Sequence, residues 1–154
     1  MQTVGHGMAY LAPARWHAAC SADPQEGSVR TGDIVVRIAG LRNDRGVVHL
    51  ALFDGPRGFP TDGPHAFRRV TLPILDGSVE HRFVAVPYGT YAISFLHDEV
   101  VDGTLSRNVI GIPREGFGAS NDARTPFGAP RYEDARFEVG AAEVRLYLRP
   151  EYWL

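Results

Sequence analysis

The sequence has no lysine, a single cysteine and no long hydrophobic run, and each absence excludes a class of protein. All 16 basic residues are arginine, so the chain has no lysine for a Schiff base or a phosphate-binding P-loop. Cys20 alone cannot form an internal disulfide or a cysteine-based zinc cluster. No apolar run approaches the roughly 20 residues of a membrane-spanning helix. The net charge of −2, with the arginines spread along the chain, gives no basic patch for nucleic acid.

The length of 154 residues predicts one domain preceded by an extension. Residues 1–32 lack a sustained period and end in a polar, linker-like stretch, so we place an N-terminal extension or linker over 1–32 and the domain over 33–154. The apolar run at 8–12 is too short for a secretory signal. Small residues precede Cys20 as they do at bacterial lipidation sites, so the thiol is either lipidated or unmodified. Membrane association is expected only through such a lipid or through a partner.

Beyond residue 32, apolar residues recur at every second position, which is typical of strands with one buried face. Turn residues such as Asp76 and Gly77 separate the runs. We predict strands near 33–39, 47–53, 69–75, 79–85, 90–97, 134–139 and 143–149. Such spacing favours an all-β Greek-key sandwich of about seven strands in two antiparallel sheets, with Val36, Leu50, Ile93 and Leu146 buried together.

The regular pattern stops between His97 and Glu133. This stretch is rich in Gly, Pro, Asn, Asp and Arg, and so long a loop in a compact domain is usually functional or disordered. We therefore expect one long irregular loop, held to the domain by its own apolar residues and presenting a binding surface.

Several motifs occur together along the domain. They are GLRNDRG at 40–46, VHLALF at 48–53, FP at 59–60, PYGTYA at 87–92, HDE at 97–99, GIPREGFG at 111–118, SN at 120–121 and FG at 127–128. Through these motifs taken together, the chain resembles the bacterial family of small exported proteins called domain of unknown function 2141. The resemblance implies an immunoglobulin-like or transthyretin-like sandwich, an extracytoplasmic setting (periplasmic, cell-surface or secreted) and no established activity.

The PYGTYA motif reads as a structural turn. Pro87 fixes φ at its entry, and Gly89 is expected to take a positive φ that lets the chain reverse. Tyr91 then begins a strand, where its ring is expected to anchor a corner of the sandwich.

The segment after His97 has acidic residues at the first and fifth positions and glycine at the sixth, a spacing by which a tight loop directs oxygens at calcium. Val100 and Ser106 stand where the family commonly has further oxygen ligands, so binding should be weak because calcium takes six to eight oxygens. The alternative is a turn held by its own hydrogen bonds. The candidate ligands are Asp98, Asp102, Thr104 and Asn108.

His97 lies beside Asp98 and Glu99, a composition that suits general acid–base catalysis, because a carboxylate can orient an imidazole. No activated serine follows, so the competing interpretation is a histidine that ties the loop to the sheet edge. The histidines show no metal-binding spacing.

The long loop interleaves aromatic and charged residues, as recognition surfaces often do. Its candidate contacts are Arg114, Glu115, Phe117, Asn121, Arg124 and Phe127. We expect a non-catalytic protein that binds a protein partner and needs no cofactor beyond weak calcium. The alternatives are an accessory subunit of a larger membrane-associated complex and a hydrolase-type enzyme using His97 with Asp98 or Glu99.

Overall fold

The computed structural model describes residues 27–101, 115–126 and 128–152, and most of its regular structure is β-strand. The strands within these ranges are β1 (Thr31–Ala39), β2 (Val47–Phe53), β3 (Arg68–Pro73), β4 (Ser78–Pro87), β5 (Gly89–Asp98), β6 (Gly116–Ala119), β7 (Phe137–Val139) and β8 (Glu143–Leu148). Two 3₁₀ turns (Gly63–His65 and Ser120–Asp122) and one helical turn, α1 (Tyr132–Ala135), accompany them. None of the described helices is long and apolar enough to cross a bilayer.

The strands form two packed sheets, which confirms the predicted sandwich. The smaller sheet has the order β4-β1-β8 and the larger has β3-β2-β5-β6, with β7 also paired to β5. The prediction that all pairs are antiparallel is wrong for β1 and β8, which run parallel with Ile34 opposite Val144. The short link after β7 brings the chain to the free edge of β1, where Asp33 donates its backbone N–H to the Ala142 carbonyl, and β8 then follows β1 in the same direction.

The larger of two hydrophobic clusters lies between the sheets and is built from every second residue of the long strands. Val36, Leu50 and Ile93 are at most 1% exposed and belong to this one cluster, as predicted. Burying each such side chain contributes about 1.5–3 kcal/mol. Leu146 packs against the cluster but is only half-buried, because β8 is an edge strand of its sheet.

The edge of β5 that faces away from β2 is covered by two short strands instead of one long one. β7 pairs with residues 89–91 and β6 with residues 94–97, which leaves a gap at Ile93. The buried Ser120 hydroxyl fills this gap, because it accepts the Ile93 N–H at 2.9 Å and donates to the Ala135 carbonyl at 2.5 Å. Residues 116–122 are therefore part of the sheet edge, and the expected irregular loop is interrupted there.

The predicted strand at 134–139 is shortened by the helical turn α1, so that only Phe137–Val139 is β7. Tyr132 and Ala135 are the buried residues of this turn. Their spacing of three places them on one face of a helix, which alternation along a strand would not do. The Tyr132 hydroxyl also donates to the Thr90 carbonyl at 3.0 Å, and this bond fixes α1 against the start of β5.

Tyr91 anchors the corner before β5, as predicted. Its side chain is buried, and its hydroxyl donates to the Pro87 carbonyl at 2.8 Å. Gly89 does not take the expected positive φ, because β5 already begins at this residue and keeps it extended.

The two sides of the sandwich differ in how the sheets meet. Between β3 and β4, both residues of the turn at 76–77 have positive φ, as in a type I′ hairpin. Leu75 and Ser78 exchange backbone hydrogen bonds there, and the strands then diverge into separate sheets; we call this the open side. On the opposite, closed side, Phe117 of β6 and Glu151 after β8 exchange two backbone hydrogen bonds that join the sheets.

Candidate functional site

His97, on which the predicted catalytic role depends, is sealed inside the domain. Its side chain has no exposed surface, Nδ1 lies 2.7 Å from the Tyr152 hydroxyl, and Nε2 lies 2.9 Å from the Arg45 carbonyl. The Tyr152 oxygen also accepts the Arg42 backbone N–H at 3.1 Å. These three contacts fix the hydrogen positions. The Tyr152 hydroxyl donates to Nδ1 of His97, and the imidazole carries its proton on Nε2, which donates to the Arg45 carbonyl. Both ring nitrogens are thus already bonded.

A charged cluster surrounds this histidine at the end of β5. The Glu99 carboxylate accepts from Arg42 Nε at 2.5 Å and from Asn43 Nδ2 and Arg45 Nη2, both at 3.4 Å. The hydrogen bond from Arg42 lowers the pKa of Glu99, and the same bond raises the pKa of Arg42. The Arg42 guanidinium also lies 4.7 Å above the Tyr152 ring, within cation–π range. We call Arg42, Asn43, Arg45 and Glu99 the Glu99 cluster.

A close backbone approach at Gly46 holds the β1–β2 turn in this position. Its φ is +73°, and a Cβ there would lie 1.9 Å from the Asp98 carbonyl oxygen. No other residue fits without moving the turn, since real side chains never come so close. The turn therefore sets Arg42 and Arg45 beside Glu99.

Asp98 points to the other face of β5 and bonds a different histidine. Its Oδ1 accepts the backbone N–H groups of Val100 and Val101 at 3.2 and 2.6 Å, and its Oδ2 lies 3.2 Å from His49 Nε2. His49 Nδ1 in turn lies 3.0 Å from the Thr71 hydroxyl on β3. The pairing of His97 with Asp98 does not occur, and Glu99 Oε1 approaches His97 Nδ1 only to 4.0 Å.

The bonds of Asp98 to two backbone N–H groups are those of the self-bonded turn that the sequence offered as the alternative to calcium. No group of three or more potential metal ligands occurs among the described residues. The other candidate calcium ligands, Asp102, Thr104 and Asn108, lie outside them, so the weak calcium site stays a prediction.

The predicted contact residues divide between two places. Glu115 is buried, and its charge acts on Arg42, so it belongs with the Glu99 cluster. Phe117 is half-buried in β6, where its backbone pairs with Glu151. Arg124 forms an ion pair with the Glu151 carboxylate and so lies on the closed side. Arg114 and Phe127 lie outside the described residues.

Asn121 supports the backbone around it. Its φ is +59°, in the left-handed region that asparagine tolerates. Its Nδ2 donates to the carbonyls of Asp134 and Arg136 at 3.4 and 2.8 Å. These bonds connect the turn after β6 to α1, so the side chain is already engaged within the domain.

Sequence reasoning missed one feature, a groove of about 450 Å³ on the open side. The consecutive arginines at 68 and 69 and the third at 82 were a signal, but only the topology brings them together. The residues that line the groove are Arg68, Arg69, Val70, His81, Arg82, Phe83 and Val84.

Comparison with known families decides where the chain belongs. The family model described as an uncharacterized protein conserved in bacteria (DUF2141) matches residues 36–146. The chain is a member of this family. No curated protein and no solved structure gives a significant match.

The DUF2141 match includes the Glu99 cluster and every residue that lines the groove. Tyr152, which completes the hydrogen bonds of His97, lies just beyond the matched residues. Family membership therefore agrees with the resemblance seen in the motifs, and DUF2141 supplies no activity to set against the geometry.

Proposed function

We propose that this DUF2141 domain is a non-catalytic binding or accessory protein that contacts a protein partner through the Glu99 cluster. The observation that carries the proposal is a contrast in exposure. The His97 side chain is 0% exposed, whereas those of Arg42 and Arg45 are 40% and 76% exposed. A general acid or base must reach its substrate, and arginine is enriched at protein interfaces.

The cluster suits recognition because its two arginines are held to different degrees. Arg42 is fixed by Glu99 and by the Tyr152 ring. Arg45 has one long contact to Glu99, at 3.4 Å. An exposed ion pair of this kind contributes little free energy, so a partner carboxylate can replace it at little cost in stability. The cluster thus offers one rigid and one adaptable guanidinium, each able to bind a carboxylate through two hydrogen bonds.

The setting follows from the family resemblance, and the protein partner from the exposed arginines of the Glu99 cluster. We place the protein outside the cytoplasm, bound to another protein either as a separate partner or as the accessory part of a membrane-associated complex. The function requires no cofactor, and weak calcium binding at 98–108 would only stabilise the chain next to the Glu99 cluster.

Charge reversal of the exposed arginine tests this proposal. Proteins captured from a bacterial envelope extract by the immobilised domain are quantified by mass spectrometry for wild type, Arg45→Glu and Arg145→Glu. Arg145 is the matched control, since it is 55% exposed and lies on β8 away from the cluster. We expect a specific partner to be lost with Arg45→Glu and kept with Arg145→Glu. If both variants captured the partner equally, the proposal that the Glu99 cluster is the contact surface would be refuted.

A hydrolase that uses residues other than the predicted His97 has one supporting observation, the hydrogen-bonded order of Asp98, His49 and Thr71, which is the order of a carboxylate–imidazole–hydroxyl triad. Assays with activated esters and amides test it. Turnover that disappears in Thr71→Val or His97→Gln, with an unchanged melting temperature, would overturn the non-catalytic proposal. We expect no turnover by the wild-type domain above the rate in buffer alone.

A further inference from the structure

The open side of the sandwich leaves two strand edges without neighbours among the described residues. β3 pairs only with β2, and β4 pairs only with β1. After Leu75 and Ser78 the two strands separate, and the groove lies between their edges. An edge strand directs the N–H and C=O of every second residue outward, where another strand can pair with them.

The floor of this groove is apolar. Phe83 is buried and Val70 packs against the core. The His81 ring meets the Phe83 ring edge-on, with 4.6 Å between centroids. Val84 adds an apolar side chain that is 58% exposed on the rim. An occupant with apolar side chains on one face therefore finds a complementary surface.

The rim carries positive charge that the domain does not neutralise. Arg82 is already paired with Asp33 and Glu143, each at 2.9 Å. Arg68 instead donates to the backbone carbonyls of Val84 and Ala85, which carry no charge. Arg69 forms no ion pair or hydrogen bond within the described part of the chain, and no acidic residue lines the groove. Arg68 thus keeps an uncompensated positive charge but its guanidinium is engaged, and the Arg69 guanidinium is available to a ligand with carboxylates.

The hydrogen bonds of Arg68 also decide which edge is available. They occupy the carbonyls at the exposed end of β4, so this edge is already partly covered by a side chain. The edge of β3 has no such cover among the described residues, and its six residues give a ladder long enough for a short added strand.

We propose that the groove binds an extended acidic segment of another protein as an added strand on β3. Alternate side chains of the segment contact the floor at Val70 and Phe83, and the carboxylates between them, on the opposite face of the added strand, meet Arg69. This site is on a different face from the Glu99 cluster and does not depend on the function proposed there. The volume of about 450 Å³ lies within the range of sites for small ligands and short peptides.

Labelled synthetic peptides test the proposal by fluorescence anisotropy at low salt. The probe is a peptide of about six alternating valines and glutamates, a length typical of one strand. One control peptide carries lysine in place of glutamate, and a second carries proline in place of its central valine, which removes an N–H from the ladder. We expect saturable binding of the acidic peptide and binding at least about tenfold weaker for both controls.

Variants of the protein locate the site. Arg69→Ala should weaken binding of the acidic peptide by about fivefold, the effect of one exposed charge pair. Arg124→Ala, on the closed side, should leave this binding unchanged. Because Arg69 is exposed, its variant is expected to fold, and slower amide exchange at 69–72 with bound peptide gives a second readout. No saturable binding, equal binding of the proline peptide, or an unchanged affinity in Arg69→Ala would each overturn the proposal.

Discussion

Removal of the Ser120 hydroxyl should destabilise the domain far more than removal of a hydroxyl at the surface. In Ser120→Ala, the Ile93 N–H loses its acceptor and the Ala135 carbonyl loses its donor, in a position with no exposed surface. A buried polar group left without a partner costs about 1–3 kcal/mol, so we expect a loss of about 2–4 kcal/mol in the free energy of unfolding. For a domain of this size, that loss corresponds to a fall in Tm of roughly 5–12 °C.

The measurement is urea unfolding of the variant beside Ser78→Ala. Ser78 is the matched control, because its hydroxyl donates to the Leu75 carbonyl at an exposed turn where water can replace it. We expect the control to change stability by less than about 0.5 kcal/mol. Amide exchange at Ile93 should also accelerate in Ser120→Ala. Equal stability of the two variants would refute the view that Ser120 completes the edge of β5.

Three further changes test other parts of the fold. Ala85 has a φ of +52° and donates its N–H to Asp33, so Ala85→Gly should relieve backbone strain and raise stability by about 0.5–1 kcal/mol in urea; a loss would contradict this. Burial lowers the pKa of His81 below its usual 6.5, so the unfolded chain binds the proton first and stability should fall as pH drops below about 6.5. His81→Gln should show a smaller fall in urea midpoint over that range, and an identical pH dependence would refute the assignment. Tyr152→Phe removes the hydroxyl bonded to His97 and should cost about 1–3 kcal/mol in thermal unfolding, so an unchanged Tm would mean that the bond is dispensable.

The strands that sequence could predict are those with long alternation. In β2, every second residue is buried over 47–53, and this pattern depends on the residues of that strand alone. This alternation of apolar residues is absent from β6, whose four residues include two glycines. Gly118 is needed there because a Cβ would lie 2.6 Å from the Phe95 ring, a contact between strands that local sequence does not show.

The candidate site was predictable only in part, because its contacts also join residues that are far apart in the sequence. The burial of His97 follows from its place on the face of Tyr91, Ile93 and Phe95, and the structure agrees. Its hydrogen-bond partner Tyr152 is 55 residues away, and no spacing rule connects them. Which strand edges remain open depends likewise on the pairing of whole strands, so the groove between β3 and β4 appears only once the topology is known.

The parallel pairing of β1 with β8 has a consequence for how the chain folds. The first strand of the sheet acquires its second neighbour only when the last strand arrives, after nearly the whole domain has been synthesised. Contacts between residues so far apart in sequence require closure of a long loop before they contribute, and folds dominated by such contacts form in milliseconds to seconds. Until then β1 presents Ile34, Val36 and Ile38 beside an unpaired edge. The nascent domain is therefore most prone to aggregation in the interval between the synthesis of β1 and the docking of β8.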